Sequence, residues 1–167
     1  MKFSEGISRV AFELSRFSFG TTSAVTTSLA LIVGLDETGN PKMSIVGALL
    51  VIALADNISD SLGIHIYQES QCSNSKGSSK IYALSNFFTR LVITLIFISL
   101  VVFLPIRYAV LSSLVIGLLL LSLLSYLIAV NHKTEPFREV LYHVGVAIIV
   151  LMASQIVGQT ITSRFSI

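Results

Sequence analysis

Apolar positions come in blocks of about 20 residues, parted by short polar stretches, from about residue 17 to the C-terminus. The pattern predicts five membrane-spanning helices at about 17–35, 44–66, 88–106, 108–130 and 140–162. Helices are the expected form because backbone groups in lipid must find partners within their own segment. The fold class expected is therefore all-α, a single polytopic membrane domain over 1–167. Residues 1–16 place Phe3, Ile7, Val10 and Leu14 on one helical face between Glu5, Arg9, Glu13 and Arg16. That spacing fits either an amphipathic helix lying in the membrane interface or the lead-in to the first span.

Charge adds an orientation. With the N-terminus in the cytoplasm, Lys2, Arg9, Arg16, Lys76, Lys80, Arg90, Lys133 and Arg138 fall inside, and Lys42, Arg107 and Arg164 outside. Short cytoplasmic loops collect Lys and Arg, so five spans put the C-terminus on the opposite side. Asp36 to Pro41 reads as a short outer turn, Pro105 as the end of the third span, and Pro136 as a first-turn proline of the last helix. The polar stretch 71–80 reads as a mobile cytoplasmic loop.

Composition narrows the function classes. Hydrophobic residues make up 53% of the chain and charged residues 12%, and the mean hydropathy is +0.84, which leaves no room for a separate soluble catalytic domain. Net charge is only +2 and dispersed, so nucleic acid is not an expected partner. Cys72 is the single cysteine, which excludes an internal disulfide and a cysteine-rich metal cluster. The source expected is a prokaryotic inner membrane, and no Ser/His/Asp nucleophile set points to an enzyme.

Chemistry concentrates on three spans, with helices three and four expected as scaffold. In the second, Asp56 and Asp60 are four residues apart on one helix face, with Asn57 and Ser59 between them. Asp56 falls near mid-membrane, where a carboxylate costs about 3 kcal/mol, so the pair is expected to face a protein interior or wet cavity and to bind a cation or a proton. The first span offers hydroxyls at Thr21, Thr22, Ser23, Thr26, Thr27 and Ser28, as ligands or as small packing residues. In the last, Ser154 and Gly158 form a small-xxx-small pattern, and Gln155 and Gln159 either face the interior or tie two helices together. At the cytoplasmic end, His65 with Glu69, and Glu135, Glu139 and His143, offer carboxylate and imidazole groups at four-residue spacing. Such sets suit divalent Fe, Mn, Co or Zn, or simply form solvated helix ends.

Around Ala55-Asp56-Asn57-Ile58-Ser59-Asp60-Ser61-Leu62-Gly63 and Tyr67-Gln68-Glu69-Ser70-Gln71, the chain resembles the vacuolar iron transporter family. The hydroxyl-rich stretch 23–35 is similar to that family's first helix, and Arg138 to Ala147 to the lead-in of its last. The resemblance implies a homodimer that exports Fe2+ or Mn2+ from the cytoplasm in exchange for protons, along a path lined by Ser23, Thr27, Asp56, Asn57 and Asp60. Metal ligands would come from Asp56 and Asp60, with Glu69, Glu139 and His143 at the entrance, and no cofactor would be permanently bound. The sequence departs from the family where Ser23 replaces an acid, Asp60 a methionine, and Ile64 and His65 a further acid, and it lacks the long cytoplasmic helices of eukaryotic members. Those departures keep open a non-transporting membrane subunit or scaffold. An Asp-x-x-x-Asp phosphotransferase is the weakest alternative, since the rest of that motif is missing.

Overall fold

The computed structural model describes residues 2–39, 42–71 and 76–165, with side chains described from residue 17 onward except at 71 and 76–79. Its helices are α1 (Lys2–Glu37), α2 (Lys42–Val51), a π-helical turn (Ile52–Asp56), α3 (Asn57–Gln71), α4 (Lys76–Phe103), α5 (Ile106–His132) and α6 (Pro136–Phe165). No strand occurs among the described residues. Five segments are long and apolar enough to cross a membrane: Phe17–Glu37, Lys42–Ser70, Lys80–Phe103, Ile106–His132 and Pro136–Phe165. The chain is an all-α, five-span integral membrane protein. We call the end that holds the C-terminus of α3, the N-terminus of α4 and residues 133–135 the inner end, after the charge bias.

Three boundaries differ from the sequence reading. Helix α1 is one unbroken rod of 36 residues, about 54 Å long, so 2–16 continue the first span as helix. The amphipathic face expected at Phe3, Ile7, Val10 and Leu14 lies outside the described side chains. Residues 76–80 are helical, so the expected loop 71–80 shrinks to the segment containing Cys72, which lies outside the described residues. Consequently the third span starts about eight residues before the expected 88, and Arg90 sits well inside it rather than at its inner flank.

Helix α1 is the hub, packed against α4, α5 and α6. Its Ala24, Val25, Leu29 and Ile32 meet Ile45, Val46 and Leu49 of α2 and Ile93, Phe97 and Val101 of α4 in one buried core. Helix α5 turns inward a stripe at strict four-residue spacing: Ala109, Ser113, Gly117, Leu121, Ser125 and Ala129. Leu29 fills the notch at Gly117, where an added Cβ would collide with its side chain. The Ser154/Gly158 pattern becomes a real contact: Ser154 Oγ donates to Ala30 O, and a Cβ at Gly158 would strike the backbone at Gly34. Gln155 and Gln159 tie helices together, donating to the Glu37 carboxylate at 2.7 and 3.3 Å.

In the second span Ile45, Leu49, Ala53, Asn57 and Ser61 are buried, each four residues from the last. A straight α-helix drifts about 40° per four-residue step, which would swing Asn57 and Ser61 away from the face begun by Ile45. The wider π turn at 52–56 offsets part of that drift and keeps both polar residues turned toward α4.

Candidate intramembrane charge cluster

The largest fully buried side chain among the described residues is Arg90 of α4. A guanidinium cannot deprotonate, so at this depth it needs acceptors for its whole fork. The second span provides most of them. Arg90 Nε donates to Asn57 Oδ1 at 2.7 Å, Nη2 to Asp56 Oδ2, and Nη1 to Asp60 Oδ2 and to Ser23 Oγ of α1. One side chain thereby joins three spans.

Asp56 and Asp60 are brought together as expected, and Ser23 and Asn57 join them. What corrects the sequence reading is Arg90, which is no cytoplasmic loop charge, and the third span, α4, which is no bland scaffold. Thr27 is half-buried on α1, and no bond among the described residues ties it to either aspartate. Sequence reasoning also missed Asn86, which is buried, donates to Ser61 Oγ at 3.2 Å and packs against Gly20, where a Cβ would come within 2.9 Å of Asn86 Oδ1. A signal was present: Asn86, Arg90 and Thr94 recur every four residues on α4, and all three are buried.

The cluster is lopsided in charge and in exposure. Two carboxylates face one guanidinium, leaving one formal negative charge in excess. Arg90 is 0% exposed, while the side chains of Asp56 and Asp60 are 42% and 32% exposed. Asp56 lies midway along Lys42–Ser70, so the excess charge sits near mid-membrane. From Asp60 a groove of about 450 Å³ runs toward the inner end between α1, α3 and α4, bordered by Ser59, Gln68 and the rings of Phe19, Tyr67 and Tyr82. Within the cluster, Asn57 Nδ2 is buried without a hydrogen-bond partner among the described residues.

The expected entrance ligands do not converge. His65 Nε2 lies 3.9 Å from Glu69 of its own helix, and His65 borders a separate depression with Lys80 on the other flank of α3. Glu135 and Glu139 line an inner-end depression with Lys133 and Arg138, and His143 Nδ1 is 2.9 Å from the backbone oxygen of Glu139. Among the described residues, no three His, Cys, Asp or Glu side chains come together as a metal cage within one chain.

Compared with known proteins, the chain matches no family model, no curated protein and no solved structure.

Proposed function

We propose that this protein is a transporter that carries a cation across the membrane by way of Asp56 and Asp60, with Arg90 as a built-in counter-ion. The observation that supports it most is the exposure of two carboxylates near mid-membrane beside a guanidinium that is wholly buried. If the cluster served packing alone, its costliest charges would be sealed in with the arginine; here both carboxylates are partly exposed, and Asp60 borders a groove leading to the inner end. A face bearing partly exposed acids at that depth is unfavourable against lipid, so water or a second copy of the chain covers it, which favours a homodimer.

The working cycle follows from charge. With Arg90 in place the cluster accepts one positive charge, a proton or a monovalent cation. A divalent ion such as Fe2+ or Mn2+, the cargo the sequence resemblance implies, takes both carboxylates only when Arg90 swings off them or when two copies pool their acids. Protons compete for the same oxygens, which couples the cargo to a pH gradient.

A second reading has its own observation: Arg90 is bonded through all three nitrogens and fastens α1, α3 and α4, as a structural keystone would be. Uptake of Mn(II) and Fe(II) by proteoliposomes separates the two. The transporter loses flux in Asp60→Asn while the protein remains folded; a keystone moves no metal in either form.

A further inference from the structure

The geometry points to a binding site for a small organic monocation, an ammonium or similar onium ion, in the groove between α1, α3 and α4. It rests on the reading of Asp56 and Asp60 as a cation-carrying pair, and names a ligand class for the approach to Asp60 from the inner end.

Four observations converge on it. The groove holds about 450 Å³, within the range of small-molecule sites. Among the described residues Asp60 is the only charged one in its lining, and it belongs to a cluster with one negative charge in excess, so the groove asks for a single positive charge. Three rings from three different helices border it, Phe19 of α1, Tyr67 of α3 and Tyr82 of α4. Aromatic faces attract onium ions through their quadrupoles, and most strongly where water is scarce. The border is mixed, with Ser59 and Gln68 as polar groups, where a bare metal ion would want several oxygens at short range. Aromatic rings around one carboxylate suit a cation that carries its charge inside an apolar shell.

Gly63 supplies the means to test this. It lies on the groove, and no described residue stands within 4 Å of where its Cβ would be, so a larger side chain there has room to extend into the groove. The experiment is equilibrium binding of radiolabelled tetraethylammonium to the full chain in phosphatidylglycerol nanodiscs, which carry no ammonium lipid. Wild type is expected to bind saturably at one site per chain. Gly63→Leu, with its melting temperature unlowered, and Tyr67→Leu should each bind about tenfold more weakly or worse. Adding phosphatidylethanolamine tells apart two sources of the same chemistry: competition makes a lipid headgroup the resident cation, and its absence makes a free ammonium the ligand. Lack of saturable binding by folded wild type, or equal binding by Gly63→Leu, overturns the inference. Tetraethylammonium binding without any flux would sink the transporter reading alone, and flux without tetraethylammonium binding would sink this one alone.

Discussion

Arg90 carries more of the cluster than any other side chain. Removing one partner of a buried ion pair leaves uncompensated charge and typically costs about 3–5 kcal/mol. Replacing Arg90 with Met keeps the length and apolar volume of its stem but strands two aspartates near mid-membrane; since these are partly exposed, Arg90→Met is expected to destabilise the bundle by less than that, about 1–3 kcal/mol. Neutralising the acids as well, in Arg90→Met/Asp56→Asn/Asp60→Asn, should recover most of the loss, as read by thermal melting in detergent. A triple variant no more stable than Arg90→Met would mean that the arginine acts through packing and not through charge. At this scale the sequence was half legible. Asp56 and Asp60 announced themselves, because two acids in an apolar run have no bland explanation. Arg90 did not, because an arginine near the start of an apolar block reads equally well as a loop charge.

The elements explain why. Apolar content marks where a span is greasy, whereas a helix begins where its backbone bonds begin. Residues 76–87 are helical although they hold Lys76, Lys80 and Asn86, so the visible apolar block starts late and Arg90 is misplaced outward. The π turn was likewise out of sight, since Ile52-Ala53-Leu54-Ala55-Asp56 has ordinary helical composition and its register is set by packing against α4. The Ser154/Gly158 contact was legible because small residues four apart leave few other roles on a membrane helix. A π turn is one residue more than a regular helix needs, which makes it removable. Deleting Leu54 should give a continuous α-helix with both flanks close to register and a folded protein. Deleting Ile58 instead turns Ser59, Asp60 and Ser61 by about 100° and detaches Asp60 from Arg90. The expected result is a melting temperature clearly lower for the Ile58 deletion; equal losses would show that the turn is not a separable insertion. Gly63→Leu should stabilise its helix by about 0.5–0.8 kcal/mol, since glycine is the poorer helix former, and melting again reads the outcome.

For the whole molecule, five spans and their order were readable from hydropathy, because bilayer thickness sets the length of each apolar block. Which spans meet was not readable, and the function hangs on it. Helix α1 lies at the hub against α4, α5 and α6, so the first and third spans meet across Arg90 and Ser23, while the two inner-end groups of acids and histidines stay on separate flanks. The central claim is that Asp56 and Asp60 pass a cation across the membrane with Arg90 standing by as counter-ion. Its most direct test is the charge movement itself, recorded on a solid-supported membrane carrying proteoliposomes while Mn2+, tetraethylammonium or a step in pH is applied. The account predicts a cation-evoked current from the wild type that disappears in Asp56→Asn/Asp60→Asn, with both proteins folded. A folded wild type that gives no current under any of the three, or a double variant that keeps it, would contradict the claim and leave the cluster as the clasp that holds three helices together.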